Sequence, residues 1–328
     1  PILPYTGTLV FRSKYEGDGE SRSELNEEAE KQYRLMTDQI RSMEQAASRL
    51  SDDYVKGKSP KAKSCLISNL EQWAAQSALL DTEVNHIGEA VRKWLLAASG
   101  AAYLEVTQAK APNEAASARS ERIEHWFHRL ALEVMNYYSD RPLERVNNHD
   151  YWAAWAVMVT AINLQDRAMF HWAVEQYAVA ASQVDSQGYL PNELRRDSRA
   201  LSYHNFALQP LVMVAIFGEA NGEALSALNN HSLARLVDRV LRGIDKPEIF
   251  EQVTGSEQKV DGLREPWSLA WLEPYLSRYA LPASSLLDVN ALRAMKNSRL
   301  GGDLTWYFYT PAKPKKVRNL SIEPFVQE

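Results

Sequence analysis

The strongest constraint on the fold is a long series of helical hydrophobic patterns with short segments between them. Within each pattern apolar residues recur every three or four positions, which is the spacing of one face of an α-helix. Glycine and proline, which disfavour helix, number only 14 each among 328 residues. The chain is therefore predicted to be all-α, with helices over 21–55, 63–79, 83–106, 116–138, 150–164, 167–183, 198–218, 223–243, 266–279 and 285–296.

The start of the first helix carries a local signal of its own. Ser21 is followed three residues later by Glu24, which is the spacing of a capping box, and further acids fill the next turns. We therefore expect the helix to begin near Ser21.

Short connections make successive helices antiparallel neighbours, so the series forms either a solenoid or a ring of hairpins. No fixed sequence period of the solenoid kind is present. The predicted architecture is an α/α toroid, an incomplete barrel of antiparallel helical hairpins whose inner helices surround a cleft. Residues 1–20 are predicted to form an extended arm and loop. Residues 21–328 are predicted to form one domain, because no long flexible linker interrupts them.

Composition excludes several classes of protein. The net charge of −5 and the pI of about 5.9 disfavour non-specific nucleic-acid binding, so no nucleic-acid partner is expected. Cys65 is the only cysteine, which rules out a disulfide within this chain and a cysteine-rich metal site. No run of 18 apolar residues occurs, so no membrane span is expected. The chain starts with Pro1 rather than Met, and we expect that a secretory signal has been removed upstream.

The first stretch with chemical potential is RVNNHDYWAAWAV, residues 145–157. Two amides and an imidazole stand there directly before a tryptophan-rich helix. Asn147 is assigned to turn chemistry. Asn148 alone is most often a helix cap, and His149 alone is most often a structural histidine. A catalytic role for Asn148 and His149 is therefore indicated only if other suitable side chains lie near them.

The second stretch is PNELRRDSRALSYHNFALQPL, residues 191–211, in which Asp197 or Ser198 is the expected helix cap. Arg196, Arg199 and Tyr203 are spaced by three and four, so they can share one helix face. Paired guanidiniums bind a carboxylate and would lower the pKa of a nearby phenol. The alternative is that the arginines are solvated, or ion-paired with acids such as Glu193 and Asp197, and that Tyr203 is a half-buried core residue.

Taken together, amide, imidazole, guanidinium and phenol suit β-elimination from a uronic acid. A base removes the C5 proton, an acid protonates the leaving oxygen at C4, and neutralisation of the carboxylate stabilises the enolate-like charge. Neither a metal nor an organic cofactor is required. The carboxylate pair that glycoside hydrolysis needs is not evident.

At these residues the chain closely resembles the alginate lyases of polysaccharide lyase family 5. The matching strings are SKYEG (13–17), NNHDYWAAW (147–155), RRDSRALSYHNFAL (195–208), WLEPY (271–275) and RLGGD (299–303). The resemblance implies an α/α toroid that acts in the periplasm. It implies cleavage of β-1,4-linked mannuronate in alginate, which leaves a 4,5-unsaturated uronate at the non-reducing end.

The resemblance also implies roles for the four catalytic candidates. Asn148 and Arg196 look like carboxylate neutralisers, His149 like a further neutraliser or the base, and Tyr203 like the acid. Because the C5 proton and the C4 oxygen of mannuronate lie on one side of the ring, Tyr203 could serve as base and acid in turn. The sequence does not choose between these two assignments.

A mobile N-terminal lid is a further implication of the resemblance, and its matching segment is SKYEGDGESR. The substrate-binding candidates, from the lid and elsewhere, are Lys14, Tyr15, Arg22, Trp73, Trp152, Arg199 and Arg299. Core packing is the alternative for each tryptophan, Trp155 included. Relatives are expected to carry a cysteine just upstream of Pro1, which would pair with Cys65.

Two other functions compete with a lyase. One is a non-catalytic polyuronate-binding protein of the alginate secretion machinery, whose partners would be alginate export or modification proteins. The other is a glycoside hydrolase that uses Glu144, Asp150 or Asp197. Alginate is the substrate of the lyase and the ligand of the polyuronate-binding protein.

Overall fold

The structure is a computed structural model, described here for residues 1–13, 15–16, 24–108 and 120–309. Its helices are α1 (Glu27–Val55), α2 (Ala62–Ala75), α3 (His86–Gln108), α4 (Glu121–Tyr138), α5 (Asn148–Leu164), α6 (Arg167–Gln183), α7 (Pro191–Leu194), α8 (Ala200–Ala220), α9 (Leu228–Asp245), α10 (Glu248–Thr254), α11 (Leu272–Leu276), α12 (Val289–Leu292) and α13 (Leu304–Phe308). Four two-residue strands, β1 (Tyr15–Glu16), β2 (Glu24–Leu25), β3 (Lys296–Asn297) and β4 (Gly302–Asp303), form the antiparallel pairs β1–β2 and β3–β4. The predicted all-α class is confirmed.

The long helices form two layers of antiparallel hairpins. The inner helices α1, α3, α5 and α8 contact one another in that order, and each packs against the helix that follows it on the outside: α2, α4, α6 and α9. Inner helices that meet in sequence around a centre are the arrangement of an α/α toroid, as predicted.

The layers explain the two kinds of hydrophobic pattern. Nearly every residue of α5 from Asn148 to Asn163 is buried, because this inner helix is covered by neighbours on every side. An outer helix such as α4 buries one stripe, from Ile123 to Tyr138 at helical spacing, and leaves its other face to solvent.

A short 3-10 turn, Ser298–Leu300, lies against the inner helices α1, α3 and α8. Arg299 ties it to α1 through a 3.0 Å contact from Nε to Glu44 Oε2. The indole Nε1 of Trp155 in α5 donates to the Arg299 carbonyl at 2.8 Å. All four inner helices therefore meet this turn.

The arm packs on the toroid at the start of α3. Leu9 and Phe11 are buried, and the Leu9 amide donates to the Glu83 carbonyl at 2.8 Å. Farther along, Tyr15 pairs with Leu25 and brings β1 beside the entry to α1. The boundary between arm and domain at residue 20 stays a prediction.

The capping prediction at Ser21 is wrong. Glu24 lies in β2, and α1 begins at Glu27, where the Asn26 side chain accepts a hydrogen bond from the Ala29 amide. Strand pairing with β1 takes Glu24 out of the helix. The long helices predicted over 266–279 and 285–296 are also wrong, since only the short α11 and α12 form there.

Two further expectations concern composition. By length and composition alone, one helical stretch among the described residues, Asp197–Ala220, could cross a membrane, but 83% of its apolar window is buried within the protein. Its apolar character follows from its place in the inner layer. Cys65 is an exposed free thiol on α2, and its pairing with an upstream cysteine stays a prediction.

Asn85 joins the arm to α3, and its loss should be costly. Its Oδ1 accepts from the amides of Ile87 and Gly88, and its Nδ2 donates to the Phe11 carbonyl at 2.8 Å. We expect Asn85→Ala to lower the free energy of unfolding in urea by about 2 to 3 kcal/mol, the sum of a helix cap and an arm contact. Asn85→Asp keeps the capping oxygen and should recover part of the loss. An Ala variant as stable as wild type would contradict this role.

Candidate active site

The first turn of α5 is held in place by its own cap. The Asn147 side chain accepts from the His149 amide at 3.0 Å, and Asp150 accepts from the Asn147 amide at 2.9 Å. Arg141 Nη1 lies 2.9 Å from Asp150, whose carboxylate is buried. Asn147 is therefore a turn residue, as expected, and the rigid turn orients the two residues that follow it.

Asn148 is buried and is held by Glu193 of α7. Its backbone amide donates to Glu193 Oε1 at 2.6 Å, and its Nδ2 lies 3.1 and 3.2 Å from the two carboxylate oxygens. Burial raises the pKa of Glu193 to about 7, although both hydrogen bonds from Asn148 oppose the rise. Within the described part of the chain, Asn148 Oδ1 is buried without a hydrogen-bond partner. Asn148 could therefore neutralise a carboxylate only with the second N–H of its amide.

His149 is an uncharged imidazole in this setting. Its Nδ1 lies 3.0 Å from Lys93 Nζ, and its ring packs edge-on to His86 with centroids 5.0 Å apart. Burial and then the Lys93 charge hold the pKa of His149 well below its ordinary value, and Arg196 acts in the same direction. A neutral imidazole presents one donor and one acceptor nitrogen, so its tautomer decides its role.

Arg196 and Tyr203 are in direct contact. Arg196 Nη2 donates to Tyr203 Oη at 2.6 Å, and the guanidinium carbon lies 4.0 Å from the centre of the phenol ring. Arg196 and Arg199 also lie 5.8 and 5.6 Å from the ring centre of Tyr15. The structure therefore brings the two arginines and both tyrosines into one cluster.

The backbone that carries this cluster differs from the prediction. Residues Asp197–Arg199 form a 3-10 turn, and α8 begins only at Ala200, without a side-chain cap. The expected cap at Asp197 or Ser198 is wrong. Arg196 and Arg199 precede the helix, and Arg196 reaches Tyr203 across the 3-10 turn rather than along one helix face.

The acidity of Tyr203 also differs from the prediction. Burial is the largest influence and raises its pKa, Tyr15 raises it further, and Arg196 lowers it. The guanidinium acts in the expected direction, but desolvation outweighs it. In this arrangement Tyr203 is held mainly as the phenol.

Two groups that hold the catalytic candidates were missed from the sequence. Glu193 was weighed only as an ion-pair partner for arginine, whereas its carboxylate binds Asn148. Lys93 was overlooked, and a lysine inside the apolar run AVRKWLLAA was the available signal. Glu193 lies on α7, three residues before Arg196, and binds Asn148 of the first stretch. It therefore joins the two predicted stretches into one site.

Arg299 extends the site on the side of His149. Its guanidinium carbon lies 4.0 Å from the ring centre of Trp94, and Trp94 lies 6.0 Å from the ring of His149. The Glu44 carboxylate pairs with Arg299, so a substrate carboxylate would have to compete with it. Trp94, which the sequence did not single out, is thus a tryptophan in ring contact with His149.

The tryptophans proposed as subsites belong to the core. Trp73, Trp152 and Trp155 are fully buried, and Trp73 Nε1 donates to the Ile2 carbonyl at 3.0 Å. None presents a ring face on which a sugar could stack, so these assignments are wrong for Trp73 and Trp152. Lys14 and Arg22 lie outside the described residues.

Across 1–13, 15–16, 24–108 and 120–309, no group of three or more His, Cys, Asp or Glu side chains is arranged to hold an ion.

Comparisons with known proteins agree on one family. The family model described as alginate lyase matches residues 10–250. An alginate lyase of Pseudomonas putida is 43% identical over 314 residues, which cover 95% of this chain and 86% of that protein. An alginate lyase of Azotobacter vinelandii is 45% identical, with coverage of 94% and 83%.

Solved structures show the same fold. The crystal structure of alginate lyase A1-III from Sphingomonas species A1 matches with a TM-score of 0.78 at 23% identity, over 94% of this chain and 86% of that one. Two further structures of alginate lyase A1-III, a tyrosine-to-phenylalanine and a histidine-to-alanine variant, are complexes with a tetrasaccharide and also give a TM-score of 0.78.

Proposed function

Because this chain belongs to the alginate lyase family, we propose a specific reaction for the site around Tyr203 and His149. The chain is a polysaccharide lyase that acts on alginate. The proposed cut lies between β-1,4-linked mannuronates and proceeds by metal-independent β-elimination. It leaves a 4,5-unsaturated uronate at the new non-reducing end.

The observation that carries the proposal is the guanidinium of Arg196 on the phenol oxygen of Tyr203, at 2.6 Å. In the elimination the C5–H bond breaks and its proton goes to a base. The electron pair forms the C4=C5 double bond, and the C4–O bond breaks as the leaving oxygen takes a proton. A phenol held by a cation can serve either proton transfer, and each such transfer typically contributes about 10²–10⁴-fold.

The carboxylate of the mannuronate needs neutralising donors while charge grows at C5. Arg196 supplies a guanidinium, His149 can supply a ring N–H, and Asn148 can supply its second amide N–H. Fixed donors aimed at developing charge lower the barrier because they need no reorganisation during the reaction.

Mannuronate specificity follows from one-sided proton transfer. The C5 proton and the C4 oxygen of mannuronate are on one side of the ring, so the single residue Tyr203 can take the first and protonate the second. Guluronate places them on opposite sides and would need a second group across the sugar. We therefore expect mannuronate oligomers to be cut faster than guluronate oligomers.

The test is incubation with defined mannuronate and guluronate oligomers, followed by ultraviolet absorbance and product sizing. Elimination creates a double bond conjugated to the carboxylate, which absorbs, whereas hydrolysis creates reducing ends without absorbance. Binding alone does neither. Equal rates on the two oligomers would reject the proposed specificity, and no absorbance on either would reject the reaction.

The competing functions have less support. Family membership favours a lyase over a non-catalytic polyuronate-binding protein. Among the acids considered for hydrolysis, Asp150 is buried in its contacts with Arg141 and Asn147, and Glu144 is exposed in a separate 3-10 turn. Their environments suit structural and surface roles rather than a facing pair.

The pH dependence should separate the two candidate bases. The pKa of His149 is lowered, so its neutral form persists to acid pH. If His149 is the base, kcat/KM should therefore not fall until the pH is below about 6.5. Since the pKa of Tyr203 is raised, its phenolate fraction grows only towards alkaline pH. If Tyr203 is the base, kcat/KM should rise with pH through the neutral and mildly alkaline range.

Tyr15→Phe provides the matched variant for that profile. Tyr15 raises the pKa of Tyr203 through a hydrogen bond and through charge, so its loss should shift the alkaline rise to lower pH. A profile that is flat above neutral pH in both proteins would contradict a phenolate base.

The proposal extends to the location and the protein partners of the enzyme. We place the enzyme in the periplasm, where it would meet alginate together with alginate export or modification proteins. Support comes from its similarity to alginate lyases of Pseudomonas and Azotobacter. Fractionation of cells that express the full gene, with activity measured in each fraction, tests the location.

A further inference from the structure

Lys93 occupies an unusual place for a lysine. It lies on the inner helix α3 with no exposed surface, and its Nζ is 2.6 Å from Tyr138 Oη and 3.0 Å from His149 Nδ1. Within the described ranges it forms no salt bridge, since the nearby Asp150 is paired with Arg141. Burying an amine costs free energy unless it is hydrogen-bonded, and the hydrogen-bond partners of Lys93 are Tyr138 and His149.

If Lys93 is an ammonium, its contact determines the tautomer of His149. An ammonium has three donor protons and no acceptor, so His149 Nδ1 must accept. The neutral imidazole then carries its proton on Nε2.

If Lys93 is a neutral amine, the outcome is the same. A neutral amine has a single lone pair, and the buried hydroxyl of Tyr138 must find an acceptor for its proton. Among the described residues, Lys93 is the hydrogen-bond partner of that hydroxyl. The phenol therefore takes the lone pair of the amine, and Lys93 again presents an N–H to His149 Nδ1.

We propose that Lys93 is a positioning residue that holds His149 in the tautomer with the proton on Nε2. Because Nδ1 faces buried Lys93, the nitrogen left to meet the substrate is Nε2. His149 then acts as a donor to the mannuronate carboxylate and is not the base. The C5 proton goes to Tyr203. This assignment rests on the proposed elimination reaction.

The wild-type enzyme itself gives the first test. In protein with ¹⁵N-labelled histidine, protonated and unprotonated ring nitrogens have well-separated NMR shifts, and the signals of His149 are those missing from His149→Gln. We expect a protonated Nε2 and an unprotonated Nδ1. A proton on Nδ1 would overturn the proposal, whatever the activity of any variant.

The second test removes the amine. Lys93→Met keeps the length of the side chain and should let His149 populate the other tautomer. Its kcat should fall by at least about tenfold, up to the roughly 10²–10³-fold expected for one lost donor, with little change in KM. Lys93→Arg, which also only donates, should keep the wild-type tautomer and retain more activity than Lys93→Met.

Arg92→Met is the matched control. Arg92 is the neighbouring buried cation on α3, but its guanidinium pairs with Glu89 and donates to the Leu79 carbonyl at 2.9 Å. It should lose stability while the tautomer and the kcat of the folded protein stay near wild type. A Lys93→Met variant with wild-type tautomer and kcat would refute the role. Lack of lyase activity in wild type would refute the proposed function but leave the tautomer result standing.

Discussion

Replacing Tyr203 with phenylalanine should lower kcat by about 10²–10⁴-fold, the usual contribution of one positioned proton donor or acceptor. The substitution removes the oxygen that receives Arg196 Nη2 at 2.6 Å and leaves the ring in place. Substrate binding should be affected less than kcat, because the ring still packs against the guanidinium. The measurement is the rate at which ultraviolet absorbance increases with mannuronate oligomers at saturating concentration.

Tyr189→Phe provides a control for the loss of a phenol hydroxyl elsewhere. Tyr189 Oη donates to the Ile249 carbonyl at 3.1 Å, and the Tyr189 ring packs edge-on to His204 of α8. This variant should keep kcat near wild type. If Tyr203→Phe kept the wild-type rate, Tyr203 could be neither acid nor base, and His149 would return as the base.

The second large effect is expected from Arg196→Lys. Lysine keeps the positive charge, but it lacks the planar fork that lets one guanidinium reach both the phenol and a carboxylate. We expect kcat/KM to fall by about 10²–10³-fold, as for the loss of one fixed donor at developing charge. The alkaline rise in activity should also move to higher pH, because the Arg196 guanidinium lowers the pKa of Tyr203.

Arg195→Lys is the neighbouring control. Arg195 is exposed and donates to the Glu144 carbonyl at 3.2 Å, so it should tolerate lysine with little change in kcat/KM. Similar losses at both positions would contradict a specific role for the contact of Arg196 with Tyr203, because Arg195 does not make that contact.

The helices were predictable where burial follows helical spacing. The pattern over 167–183 matches α6 at both ends, and the pattern over 150–164 lies within two residues of α5. Prediction failed at Ser21, because the pairing of Glu24 with Glu16 is a contact between segments that the local capping spacing does not encode. It failed over 266–279 because Leu269, Ala270 and Trp271 are buried by tertiary packing without a long helix.

The candidate site was predictable to a similar limit. Arg196 and Tyr203 stand only seven residues apart, so their closeness could be predicted, although the 3-10 turn that joins them could not. Glu193 binds Asn148 across 45 residues and Lys93 meets His149 across 56, and no spacing rule covers such distances. Exposure is also a property of the fold, which is why Trp152 could not be assigned to core or cleft beforehand.

The turn at Ser298–Leu300 has a consequence for the order in which the enzyme is made. A chain synthesised from its N-terminus completes α1, α3, α5 and α8 long before Arg299 leaves the ribosome. Until then Glu44 lacks the cation that pairs with it, 255 residues downstream, and Trp94 lacks the guanidinium that covers its ring. The surroundings of His149 are therefore finished only after residue 299 has been made, so a chain that stops short of it carries Tyr203 and His149 without the guanidinium that covers Trp94.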